Sequence, residues 1–237
     1  MAVAVFLAAC SQPVEPKAMH PNPAFRQTPE DRNIAFARAR SFGMLAVNGV
    51  DGAPLLSHIP FQLSEDGTYV EAHLVRSNPI LGLAKAPVDA VIAVSGGDAY
   101  ISPDWYGVED QVPTWNYVAV HLRGRLKILN QTELHGILER LSAGMEKRLD
   151  GKKPWVIDKM DQDVYTRMQR QIVPIAMDVT EINGTWKLSQ NKPDEARMGA
   201  ADGVDAARMG SEIETVRVSS PPRGSSGSQS RSHCPCG

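Results

Sequence analysis

The sequence predicts a mainly β, α+β fold: an antiparallel barrel with peripheral helices. Three observations carry this. About six strand-like patterns follow one another along the chain. Short turns rich in Asn-Gly, Asp-Gly and Pro join many of them. The helical patterns lie mostly before and after the strands, whereas a doubly wound parallel sheet needs a helix between most of them.

The elements follow in chain order. Thr28-Pro29-Glu30-Asp31 offers an N-cap, a proline at the first helical position and acids in the first turn. Ile34 and Phe36 supply that helix's apolar contacts, and Gly43 is expected to end it. Met44–Val47 runs into Asn48-Gly49 and Asp51-Gly52, the signature of a hairpin. Leu55, Ser57, Ile59, Phe61 and Leu63 share one face of the next strand, with His58 and Gln62 on the other. After Asp66-Gly67, Val70, Ala72 and Leu74 alternate with Tyr69, Glu71 and His73. Val88–Ser95 is a nearly continuous apolar run and reads as a buried strand. Val118, Val120, Leu122, Leu126 and Ile128 mark the clearest half-buried strand. Leu134, Ile137, Leu138, Leu141, Met145 and Leu149 then repeat at helical spacing, with Asn130 and Glu133 as a capping pair and Gly151 as the stop. A short helix is expected over 161–171 and a last strand from Val173 to Val179. Asn183-Gly184 is read as a turn into Thr185-Trp186-Lys187-Leu188.

The totals bound the function. The chain has 237 residues, a net charge of −2 and 22% charged residues. This is an ordinary globular composition without a broadly basic surface for nucleic acid. No apolar run is long enough to span a bilayer. Cys10, Cys234 and Cys236 exclude a disulfide framework, and a reduced cytoplasmic setting fits. The start leaves two readings. Leu7-Ala8-Ala9-Cys10 looks like a lipobox, which would anchor the chain through Cys10. No basic residue precedes it, and the favoured reading makes residues 1–18 a spurious upstream start before Met19. The expected organisation is a domain over 19–205 and a disordered, low-complexity tail over 206–237.

The most distinctive stretch is Asp98–Gly124. It holds three of five tyrosines and two of four tryptophans, broken by Pro103, Gly107 and Pro113. Turns lined with aromatics and with Ser102, Thr114 and Asn116 suit a flat, polar-edged ligand, and equally a structural aromatic corner. Three polar clusters accompany it, around His58, around His73–Pro79 and around Lys187–Lys192. Arg76-Ser77-Asn78 at a strand end gathers groups that hold a phosphate. There is no Walker loop, G-x-G-x-x-G, H-E-x-x-H or G-x-S-x-G pattern. The histidines are scattered, and nothing points to a metal.

Five blocks occur in order: His58-Ile59-Pro60; His73-Leu74-Val75-Arg76-Ser77-Asn78-Pro79; Asp98-Ala99-Tyr100-Ile101-Ser102-Pro103-Asp104-Trp105-Tyr106; Val112-Pro113-Thr114-Trp115-Asn116-Tyr117; and Lys187-Leu188-Ser189-Gln190-Asn191-Lys192. Together they resemble the PaiB-type FMN-binding negative transcriptional regulator family. Met19-His20-Pro21-Asn22-Pro23-Ala24-Phe25 resembles that family's start. Ser77 stands where alanine is commoner in the family, and Ile80-Leu81 follows the Asn-Pro where relatives often carry polar or aromatic residues.

The resemblance implies an antiparallel split β-barrel of the flavin-reductase-like and pyridoxamine-phosphate-oxidase-like type. It implies a homodimer with FMN at the subunit interface and a role in repressing transcription. With FMN as ligand, Arg76, Ser77 and Asn78 are assigned to the phosphate, with Lys192 as a second cation. Trp105, Tyr106 or Trp115 would cover the isoalloxazine ring, and Ser102, Thr114, Asn116 and Gln190 would meet its polar edge. His58 and His73 would line the same cleft or sit in the barrel wall. No helix-turn-helix or basic recognition helix is found, so DNA would be met directly or through a partner. The alternative is an FMN-dependent oxidoreductase, whose catalytic residues the sequence does not reveal. Haem binding through His58, His73 or His121 ranks last.

Overall fold

The computed structural model of the chain describes residues 19–50 and 52–207. The expected leader (1–18) and most of the expected tail lie outside the described residues. The first two tail residues, 206 and 207, are helical.

Six strands close into an antiparallel barrel, as the alternation predicted. They are β1 (Phe42–Asn48), β2 (Pro54–Leu63), β3 (Tyr69–Val75), β4 (Val88–Ile101), β5 (Thr114–Ile128) and β6 (Ile172–Lys187). Their order around the barrel is β1-β2-β3-β6-β5-β4. The β1–β2 hairpin pairs Asn48 with Pro54, and Gly52 takes the left-handed φ of +87° that its turn demands. β1 also pairs with β4, Met44 opposite Ala93, and β3 with β6, Tyr69 opposite Asp178. Inward residues such as Leu45, Phe61, Val70, Ile92, Leu122 and Met177 are almost fully buried and form one aliphatic core.

Five helices complete the described chain: α1 (Glu30–Arg40), the single-turn α2 (Ile80–Leu83), α3 (Leu134–Glu146), α4 (Gln162–Gln169) and α5 (Asp194–Ala207). The capping box of Asn130 and Glu133 forms, opening the short 3-10 turn that leads into α3. Asp161 caps α4 through Asp163 and Val164 N–H groups.

Five local expectations are corrected. Pro29, not Thr28, occupies the N-cap of α1, and the helix stops at Ser41, which adopts a left-handed φ of 50°. Its hydroxyl donates to the Arg38 carbonyl at 2.5 Å, so a serine does the work expected of Gly43. α3 ends at Glu146, ahead of Gly151. β4 is not buried on both faces: Ala90, Ile92 and Val94 point inward, and Val91 and Ala93 lie half-buried outside. Asn183-Gly184 is no turn, because β6 runs straight through it. A Cβ on Gly184 would drive into the Asn33 amide, whose oxygen accepts from Trp186 Nε1 at 2.8 Å. The glycine marks a close approach of α1 to the strand.

The chain divides into two compact units. One comprises the described residues up to Gly96 together with Val118–Lys187, and the other 97–117 with 188–207. β4 and β5 each contribute residues to both. The second unit has its own small core of Ala99, Ile101, Tyr106, Ala196, Ala200 and Val204, with Trp105 packed against it.

Candidate functional site

The site residues expected from the sequence fall into two sets, one on each unit. In the barrel unit, Arg76 follows the end of β3 and lies exposed. Its Nε donates to Arg170 O at 2.7 Å, and Nη2 reaches Ile172 O and Gln131 Oε1, both at 3.2 Å. Gln131 Nε2 donates in turn to Gln169 O and Ile172 O. The two side chains therefore lace down the backbone that enters β6, and this occupies two of the guanidinium nitrogens. Asn78 is also committed: Nδ2 donates to Ser57 Oγ at 3.0 Å, and Oδ1 accepts from Ile80 N, starting α2. Ser77 stands exposed between them. Of the expected phosphate triple, Ser77 and the outer edge of Arg76 face solvent, and Asn78 shapes the turn that presents them.

His58 is exposed on β2 and stacks on Phe42, ring centroids 6.3 Å apart. His73 is half-buried on β3 opposite Pro174, and its Nδ1 is buried without a hydrogen-bond partner. Burial pushes its pKa down, as it does for His121, where the nearby Arg123 charge adds to the effect. Both rings are thereby held toward the neutral form.

In the second unit the aromatic stretch separates into packing and surface residues. Tyr106 is buried, and its hydroxyl lies 3.1 Å from Ser189 Oγ. Asn116 is 1% exposed and exchanges hydrogen bonds with the same hydroxyl at 3.0 and 3.1 Å. Ser189 itself sits at a φ of 61°. Tyr106, Asn116 and Ser189 form a closed polar knot, so Tyr106, expected as a cover for the ring, and Asn116, expected at its polar edge, are both turned inward. Trp105 is half-buried, and a Cβ on Gly203 of α5 would collide with its indole. That ring is packing, seated in a glycine notch.

The residues left at the surface are chemically different. Trp115 is 53% exposed and meets Tyr100 edge to face at 6.1 Å. Thr114 precedes it on β5, half-buried, and Ser102 is half-buried at the head of the 3-10 turn 103–106. Gln190 is exposed, and its amide oxygen accepts from Leu188 N. Lys192 bonds Gln111 Oε1 and lies 5.4 Å from the centroid of the Tyr106 ring. Ser189 is the residue that the sequence reading left out of the site. It lay beside Gln190 and Lys192 in the same polar run, but its backbone twist had no signature there.

Residues 19–181 match the family described as "Putative FMN-binding domain". The chain is also 33% identical over 170 residues to the protease synthase and sporulation protein PAI 2 of Bacillus subtilis, covering 71% of this chain and 80% of that protein. This chain belongs to the PaiB-type FMN-binding family. FMN is its cofactor. An uncharacterized protein of Saccharomyces cerevisiae is 32% identical over 106 residues, covering 40% of this chain and 63% of that one. Among solved structures, the FAD and heme binding protein of Mycobacterium smegmatis is similar at a TM-score of 0.48 and 15% identity, over 74% of this chain and 78% of that one.

The donor chemistry fits the family's cofactor. A phosphate dianion needs a cation and hydroxyl or N–H donors, and Arg76 with Ser77 offers both at a strand end. A flat heterocycle needs an exposed aromatic face and neutral polar groups at its rim. Trp115, Thr114, Ser102 and Gln190 are of that kind.

Proposed function

We propose that this PaiB-type protein is a flavin-dependent regulator of gene expression, working as a homodimer with FMN at the subunit interface. The carrying observation is the similarity to PAI 2, a protein named for protease synthesis and sporulation, over four-fifths of that protein's length. Bound FMN supplies a redox centre. In this reading Arg76 and Ser77 hold the phosphate, Lys192 adds a second cation, and Trp115 covers the ring. Asn78, Tyr106 and Asn116 position those groups without touching the flavin. Trp105 anchors the second unit's helix, and His58 and His73 belong to the barrel's outer wall.

The dimer reading is supported by the outer face of β1 and β2. Phe42 and Leu56 are 51% and 54% exposed there, beside His58. Large apolar side chains grouped on a sheet face are typical of a surface covered by a partner. Leu56→Glu is expected to shift the protein toward monomer in sedimentation, and an unchanged dimer would move the interface elsewhere.

The purified full chain is expected to be yellow, with absorption near about 450 nm and FMN released on denaturation. Arg76→Ala is expected to weaken FMN binding by roughly 1.5–3 kcal/mol, the value of a charge-assisted contact. A colourless protein indifferent to added FMN would sink the assignment. Regulation is tested by salt-sensitive binding to its own promoter, stronger than to random DNA, and by transcript changes on deletion. The rival reading is a flavin oxidoreductase of the same cytoplasmic setting. NADH or NADPH reduction with multiple turnovers on an acceptor would favour it.

A further inference from the structure

We propose that a half-open cleft on the barrel unit, lined by the end of α1, by β2 and by α3, is a second binding site, taking a small monocarboxylate with an apolar body. It is separate from the residues assigned to FMN, and it does not depend on the regulatory reading. Its volume is about 230 Å³. Pockets for drug-sized ligands run from about 300 Å³ upward, so the occupant is smaller than those.

The charge of the lining selects an anion. Arg38, Arg140 and Arg148 all line the cleft. Arg148 donates to the Arg38 and Ala39 carbonyls and to Ser41 Oγ, so its charge answers the negative end of the α1 dipole. Arg140 forms a bidentate pair with Glu71, both bonds 2.8 Å. Arg38 faces Glu65 at 3.7 Å, and that carboxylate is 93% exposed, so water screens the pair. One cation of the lining is therefore left weakly compensated, which suits a ligand of single negative charge. Leu141 and Met145 supply an apolar wall on α3 for the rest of the ligand.

Gly144 adds an independent reason. It lies inside α3, where glycine is the poorest choice after proline. It is not among the glycines with positive φ, and a Cβ there would meet nothing within 4 Å. Neither backbone conformation nor packing calls for it. It lines the cleft, and any larger side chain would occupy that space.

The test uses the full-length, FMN-loaded protein with benzoate as probe and benzyl alcohol as its neutral control, followed by calorimetry and ligand-observed NMR. Saturable benzoate binding that weakens with salt and is absent for benzyl alcohol is expected. Arg38→Gln should weaken it by about tenfold or more, the loss of one charge-assisted contact. Gly144→Leu should abolish it, while both variants keep FMN and the wild-type melting temperature. Absence of saturable binding, or binding that neither variant changes, overturns the proposal. Loss of FMN from Arg38→Gln also overturns it, because the basic lining would then belong to the flavin site. Should Gly144→Leu fold poorly, Arg38→Gln alone decides.

Discussion

The two units solve the same problem with different material. The barrel unit buries a large apolar core of leucine, isoleucine, valine and phenylalanine, in inside–outside alternation along β1, β3 and most of β5. The second unit has few large aliphatics. Alanines of α5 pack against Ile101 and Tyr106, and its centre is fixed by hydrogen bonds among Tyr106, Asn116 and Ser189. Non-directional apolar burial tolerates adjustment and scales with area. A buried polar knot does not: it is stable only while every member is satisfied. The barrel is thus built for bulk stability, and the second unit for holding particular side chains, Trp115 and Lys192 among them, in fixed positions.

The sharpest break of this contrast is in the barrel. Phe61 is fully buried, and Phe61→Ala is expected to cost about 3–5 kcal/mol, as a lower urea midpoint. In the second unit Asn116→Ala should cost about 1–3 kcal/mol, because the buried Ser189 hydroxyl loses both bonds to the amide and keeps only the Tyr106 hydroxyl. Its diagnostic feature is a second effect, weaker FMN binding at temperatures where the fold is intact. If affinity is unchanged, the knot does not position the flavin residues. A smaller effect is expected at Gly203. Alanine there gains helix propensity but meets the Trp105 indole, for a net loss of about 1 kcal/mol. Trp105→Leu in the same chain should remove that loss, and a double-mutant cycle measures the coupling.

The smallest effect lies in the β2–β3 turn. The Ser64 hydroxyl, then the Thr68 backbone and side chain, hold Asp66 down at a pKa of about 2, from 3.8. The folded value lies below the unfolded one. The carboxylate's contribution is therefore complete above about pH 4 and disappears as pH falls toward 2. Asp66→Asn should remove that part of the acid dependence, seen by comparing urea midpoints at neutral and acid pH.

The same contrast explains what could be read from the sequence. The barrel was legible because period-2 alternation of large aliphatics is a strong signal, and the Asn130–Glu133 capping box is a local one. α5 was not legible. Its buried face is Ala196, Ala200, Ala201 and Val204, too small to stand out, and Gly199 and Gly203 weaken the helical pattern further. Asn183-Gly184 misled because a turn dipeptide and a close-approach glycine look alike in one dimension. The candidate residues stand out in the sequence as an unusual set, but their division into packing and surface groups does not. That division depends on the backbone twist at Ser189 and on which face of β5 carries Asn116, and neither is a property of residue type alone.

The strand order has a consequence for how the chain is made. β6 is inserted between β3 and β5, yet it is the last of the barrel's six strands to be synthesised. β3 ends at Val75 and β6 begins at Ile172, a wait of 97 residues. At about 5–20 residues per second, a nascent chain on the ribosome holds one side of β3 without its partner for roughly 5–20 s. An open strand edge is a template for wrong pairing throughout that interval. Slowed translation ahead of residue 172 would lengthen this exposure, and the yield of soluble protein would fall with it.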